Sequence, residues 1–143
     1  MARIQLQLPE TFFFSTVIPV RITDVNYGGH VGNDAVLSLM HEARVRFLKY
    51  HGYTELDVAG VSLIMADVAI QYKSEAFYGD DLKIYVTAFD FSRVGFDLAY
   101  KLVKGEGETI VALAKTGMVC FDYTMRKVVA VPENVKRDLG GLE

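Results

Sequence analysis

The stretch RITDVNYGGHVGNDAVLSLMHEARVRFLKYHG, residues 21–52, decides the architecture. Its first half is turn chemistry: Asp24-Val25-Asn26-Tyr27-Gly28-Gly29 joins two short polar side chains to paired glycines, so a loop is expected there. Its second half is helical. Asn33 can cap a helix, Asp34 suits the positive end of the dipole, good helix formers follow, and Gly52 supplies a stop; the helix is expected over residues 34–50. Val36, Leu37, Leu39, Met40, Ala43, Phe47 and Leu48 cover more than one narrow stripe, while His41, Arg44 and Lys49 mark a limited polar side. Such a helix needs to be wrapped rather than covered on one face. At 1.5 Å per residue it spans roughly 25 Å, comparable with the width of a small antiparallel sheet.

Outward from this stretch the chain is strand-like. Residues 12–22, rich in aromatic and β-branched side chains, read as a strand running into the loop. Four more strands are expected at 62–72, 82–91, 96–103 and 109–121. In 82–88 and 96–102 apolar and polar residues alternate, giving each strand one face for a core. Tyr78-Gly79-Asp80-Asp81 and Gly105-Glu106-Gly107 are short enough to be hairpins between neighbouring strands. A short strand at 128–131, ended by Pro132, and a final helical turn or two at 133–139 complete the reading. The pattern is α+β: one central helix wrapped by an antiparallel sheet of about five strands, in a single domain over 1–143.

Composition narrows the function. The 143 residues are 51% hydrophobic, enough for one core without disulfides or metals. A formal charge of −3 supplies no large electropositive field, which disfavours a dedicated nucleic-acid binder. Cys120 is the one cysteine, and it reads as a small core hydrophobe; there is no multi-cysteine metal site, and a reducing, cytoplasmic compartment is expected. No apolar run approaches a membrane span and no signal-peptide pattern opens the chain, so no membrane partner is expected. The three histidines show no metal-binding spacing, so no cofactor is expected.

The order of motifs is more specific than any one of them. Arg21-Ile-Thr-Asp24-Val-Asn26-Tyr-Gly-Gly29-His30-Val31-Gly-Asn33, then His41-Glu42-Ala43-Arg44, Gln71-Tyr72, Tyr78-Gly79-Asp80, Arg93-Val-Gly-Phe96 and Val131-Pro132, resembles the 4-hydroxybenzoyl-CoA thioesterase family and the plant acyl-carrier-protein thioesterases. The likeness covers about residues 15–135 and implies a hotdog fold, assembled at least as a dimer. It also implies hydrolysis of a thioester carried on coenzyme A or acyl carrier protein. A homodimer or homotetramer fits the two-sided apolar character of residues 110–119.

One departure matters. Members of that branch generally carry Asp-x-Asp in the loop, the second Asp being the catalytic carboxylate; here that position is Asn26. An amide is neither a general base nor the usual nucleophile, so the chemistry has to be reassigned. By position in the motif, the Asn33 backbone N–H points at the thioester carbonyl at the helix N-terminus. Gly29, Val31 and Gly32 flank the same approach, with Gly28, Gly29 and Gly32 leaving room for a pantetheine arm. Asn26 can orient water or the carbonyl, His30 can act as base or polariser, and Asp24 can orient either. The competing structural readings are an Asx turn at Asp24 and a packing role for His30. Asp34 is a reserve acid; Glu42 and Arg44 read as a structural pair with strand residues; Asp67 reads as outward-facing; and His41 and His51 read as near-surface. Lys73, Arg93 and Arg126 are candidates for coenzyme A phosphates, and Phe12, Phe13, Phe14, Tyr50, Tyr53, Phe77 and Tyr78 for an acyl pocket.

Two other functions fit parts of the loop. Asp24, Asn26 and His30 also resemble the Asp-x-Asn-Pro-x-His signature of R-specific enoyl-CoA hydratases, without its proline and with one extra residue before the histidine. A non-catalytic acyl-thioester binder is consistent with Asn26.

Overall fold

The computed structural model describes residues 1–140. Strand β1 (Phe14–Pro19) leads through a 3-10 turn (Ile22–Asp24) into helix α1 (Asn33–Tyr50). Strands β2 (Ser62–Tyr72), β3 (Asp81–Phe89), β4 (Gly95–Lys104), β5 (Thr109–Asp122) and β6 (Lys127–Val128) follow, then helix α2 (Glu133–Leu139). All strand pairs are antiparallel, in the order β1-β3-β4-β5-β2, with β6 added to β5. The sheet thus has six strands, the sixth only two residues long.

Alternation along β3 and β4 puts Leu82, Ile84 and Val86 with Leu98, Tyr100 and Leu102 on the face that meets α1. From the helix come Val36, Leu39, Met40, Ala43, Phe47 and Leu48, spaced so that they share one broad side. Burying each of the larger side chains contributes about 1.5–3 kcal/mol. Inside this apolar packing lies one charged group. The Arg44 guanidinium, 6% exposed, donates to Glu55 at 2.7 Å and to the Tyr100 hydroxyl at 3.1 Å. Tyr100 also exchanges a hydrogen bond with Thr116. The strand partner expected for Arg44 is therefore present, whereas Glu42 pairs along its own helix with Arg46.

Three local expectations are corrected. The first strand is shorter than 12–22: Phe12 packs tilted against Tyr85 ahead of the ladder, and beyond Pro19 the Val20 amide still reaches the Asp80 carbonyl but the Asp80 amide turns back to Phe77, which ends the pairing. Asn33 is not the cap: Gly32 holds the extended N-cap conformation and Asn33 is the first helical residue. Tyr78-Gly79-Asp80-Asp81 is not a hairpin, because β2 lies at one edge of the sheet beside β5, while β3 sits between β1 and β4. Residues 73–80 instead cross the end of the sheet. The amides of Lys73 and Ser74 donate to the Val111 carbonyl, and Ala76 is buried where its carbonyl accepts from Val31. The Gly105–Gly107 turn does join neighbouring strands, β4 and β5.

That crossing positions the site. It lays the end of β2 against the loop that precedes α1, which no local hairpin could do.

Candidate active site

The loop is a compact turn. Val25 and Val31 form an isolated bridge, the Asn26 amide donates to the His30 carbonyl at 2.9 Å, and the Gly29 amide to the Asn26 carbonyl at 3.0 Å. Gly29 has φ +88°, a conformation that side chains disfavour. The Asn26 side-chain oxygen accepts from the Gly28 amide at 2.8 Å. This leaves the NH₂ group of Asn26 as its available function, lying along Gly32 at the start of the helix.

Gly32 matters because it caps without a side chain. Its carbonyl accepts from Ala35 and Val36, but no side-chain oxygen takes the earlier amides. Among the described residues the Asn33 N–H donates to no protein acceptor, so the positive end of an 18-residue helix is open to a ligand. Across from it, the Tyr72 hydroxyl at the end of β2 donates to the Asn33 carbonyl at 3.1 Å. Burial first, and the nearby Asp34 second, hold the Tyr72 phenol above its usual pKa, keeping it a donor.

His30, Val31, Asn33 and Val36 on one side and Tyr72–Ala76 on the other line a cleft of about 230 Å³. The His30 Nδ1 lies 3.1 Å from the Val31 carbonyl oxygen, which can only accept, so Nδ1 carries a proton. The other ring nitrogen, Nε2, lies 3.5 Å from Glu75 Oε2. Lys104 reaches the Glu75 backbone carbonyl and pins the segment.

The residues singled out from sequence are thus divided. His30, Val31 and Asn33 line the cleft, and Asn26 and Gly32 lie against each other just outside its lining. Asp24 is 5% exposed and faces away: its carboxylate accepts from the backbone and guanidinium of Arg21, and its carbonyl from Gly32. It braces the loop and does not line the cleft. Gly29 shapes the turn from outside. Arg93 precedes β4, whose Gly95 pairs with Val119, whereas Tyr72 pairs with Ala112. Seven residues of strand, roughly 24 Å, separate Arg93 from the cleft. Lys73 does line it.

Of the aromatic candidates, Phe77 and Tyr78 follow the cleft segment directly, while Phe13, Phe14 and Tyr50 line a separate hollow of about 240 Å³ with His51. Cys120 is buried, and burial pushes its thiol up to about 11, so it is no nucleophile. Asp67 is outward-facing and paired with Lys115. His41 bonds Glu55 from the surface; His51 is half-buried against Phe47 and Tyr50. Neither Tyr72 nor Glu75 stands out as a site residue in the sequence, because only the crossing segment brings them to the loop.

The sequence profile of the thioesterase-like superfamily matches residues 20–139. The chain belongs to that superfamily and has its hotdog fold; by class it is a thioester hydrolase. Over 126 residues it is 33% identical to a 1,4-dihydroxy-2-naphthoyl-CoA hydrolase from Microcystis aeruginosa, covering 86% of this chain and 90% of that one. In fold it is similar to a 1,4-dihydroxy-2-naphthoyl-CoA thioesterase from Synechocystis, with TM-score 0.79 and 22% identity over 88% of this chain and 94% of the other. A Staphylococcus aureus protein solved in complex with CoA also shares the fold, with TM-score 0.78 and 18% identity over 94% and 85% of the two chains.

Proposed function

We propose that the cleft hydrolyses an acyl-CoA thioester, with water as the nucleophile and the amino end of α1 as the oxyanion site. The single observation that carries this reading is the Asn33 N–H, left open by a side-chain-free cap at a cleft that Asn33 and His30 line together. A donor aimed where charge develops lowers the barrier to the tetrahedral intermediate, and a thiolate leaves without much help. The Asn26 NH₂ group orients the carbonyl beside Asn33, while His30 directs the proton of the incoming water. Asp24 acts at one remove, by holding the loop. Lys73 is the cation placed to meet a phosphate of the carrier.

The 33% identical relative makes a bicyclic aromatic acyl group of the 1,4-dihydroxy-2-naphthoyl kind the first substrate to try. An acyl-carrier-protein thioester is the second carrier to test. The same reading has the chain self-associate through β2, an edge strand on which Met65 and Val68 are each 41% exposed. Thiol release from aromatic and from short, medium and long-chain acyl-CoAs tests the activity, with wild type beside Asn26→Ala and His30→Ala. Turnover that falls at least tenfold in both variants is expected; turnover unchanged in both removes the loop from the mechanism.

A further inference from the structure

Position 26 lacks the carboxylate that the loop would need for water activation, yet a carboxylate stands in the same cleft. We propose that Glu75, on the segment leaving β2, supplies it: Glu75 and His30 together hold and deprotonate the attacking water. This assignment rests on the thioesterase reading and adds a residue to it.

The geometry carries the assignment. His30 Nδ1 is committed as a donor to the Val31 carbonyl, so in the neutral ring Nε2 bears the lone pair. Glu75 Oε2 is 3.5 Å away. Two acceptors side by side are satisfied by one water seated over the pair and donating a hydrogen to each. Its lone pairs are then free for a thioester carbon held in the cleft that Asn33 also lines. The nucleophile, its base and the oxyanion donor thus lie on three adjacent pieces of chain: the crossing segment, the loop and the helix start.

Two further observations fit. The Glu75 segment is fixed rather than hanging, since the Ser74 hydroxyl bonds the Ile110 carbonyl, Lys104 reaches the Glu75 carbonyl, and Ala76 accepts from Val31. Asn26 is committed by its oxygen to the Gly28 amide, so it serves as a donor and leaves the base to another group. In the step itself the water oxygen bonds to the thioester carbon, and a water proton passes to the His30–Glu75 pair. The carbonyl electron pair moves onto oxygen, against the Asn33 N–H. Collapse re-forms the carbonyl and breaks the C–S bond; the thiolate takes the proton from the pair, and the carboxylic acid product loses its own proton to solvent.

Glu75 has an exposed side chain, so replacing it leaves the core intact. The test is steady-state thiol release by Glu75→Gln, by Asn26→Asp and by the double variant, using whichever acyl-CoA wild type turns over best, with the melting temperature of each. Glu75→Gln is expected to lose about 100-fold in kcat with KM within about twofold, the usual size of a general-base contribution. Asn26→Asp, which restores an acid to the loop, is expected to recover at least tenfold of that loss. A Glu75→Gln enzyme with unchanged kcat, a loss confined to KM, or no recovery in the double variant overturns the assignment and leaves the thioesterase reading standing. A wild type inert toward every acyl-CoA and acyl-carrier-protein thioester removes that reading, and this assignment with it.

Discussion

The Tyr72 hydroxyl donates to the Asn33 carbonyl at 3.1 Å, tying the edge strand of the sheet to the first turn of the helix whose amide is left open. The bond holds the Asn33–Asp34 peptide, the one that follows the open Asn33 N–H, and so steadies the first turn on which that N–H sits. Tyr72→Phe is expected to lower kcat about fivefold, the equivalent of one ordinary hydrogen bond, with little change in KM. Equal losses in kcat and in thermal stability would mean that the bond serves the fold alone.

Gly32 invites a trade between stability and activity. A Cβ there would come within 2.7 Å of the Asp34 carboxylate, a side-chain end that can swing aside, and 3.7 Å from the Asn26 NH₂. Gly32→Ser gives the helix a conventional cap and is expected to hold or slightly raise the melting temperature. It also stands a side chain over the first-turn amides, so kcat/KM is expected to drop at least tenfold. Stopped assays and thermal melts on the same preparation check both halves.

Glu55 sets an acid limit on stability. Burial alone raises its carboxyl, but hydrogen bonds from Arg44 and His41 outweigh that and leave it below the usual range. A carboxyl lowered on folding contributes stability above its unfolded pKa and loses it as pH falls through the folded value. The melting temperature is therefore expected to hold at neutral pH and fall below about pH 4.5. Glu55→Ala leaves Arg44 buried with only Tyr100 to face, and is expected to cost about 3 kcal/mol at pH 7. Urea unfolding of both proteins across pH 3–7 checks the sign and the size.

Gly95 is a contact site for backbone, not a flexible joint. A Cβ built there collides with the Met118 carbonyl oxygen of β5, an atom held in the ladder. Gly95→Ala is expected to cost at least about 2 kcal/mol, in the range of overpacking in a tight interior. Denaturant midpoints measure it; a neutral result would show that β4 can move away from β5.

Charge on the free edge of β2 tests self-association. Val68→Asp, at a position 41% exposed, is expected to shift the chain toward monomer in sedimentation velocity, with its circular dichroism spectrum kept.

Much of this molecule could be read from residue order, and the exceptions share a cause. The helix and the strands β3, β4 and β5 follow from side-chain periodicity, which is local, and the loop of residues 24–33 carries its chemistry in plain view. Strand pairing is not local. The spacing of Tyr78-Gly79-Asp80 suits a hairpin, but β2 finds its partner in β5, and that distant pairing is what sends residues 73–80 across to the loop. Glu75 and Tyr72 are not legible as neighbours of the loop for that reason, and Arg93 lies away from this cleft for the same one: a motif's order says nothing about which end of a sheet it occupies. Asp24 differs in kind. Its neighbour Arg21 is visible in the sequence, but the engagement of the two buries the carboxylate outside the cleft lining.

The lone guanidinium beneath the helix has an effect at some distance. A rod sheathed only in hydrocarbon can roll or creep in a greasy trough, since one apolar contact replaces another at small cost. Sliding by one turn, about 5.4 Å, would carry Arg44 away from both Glu55 and Tyr100 and strand its charge. Arg44 is thus an indexing peg. Eleven residues and roughly 16 Å up the axis, the amide of Asn33 inherits its placement from that peg.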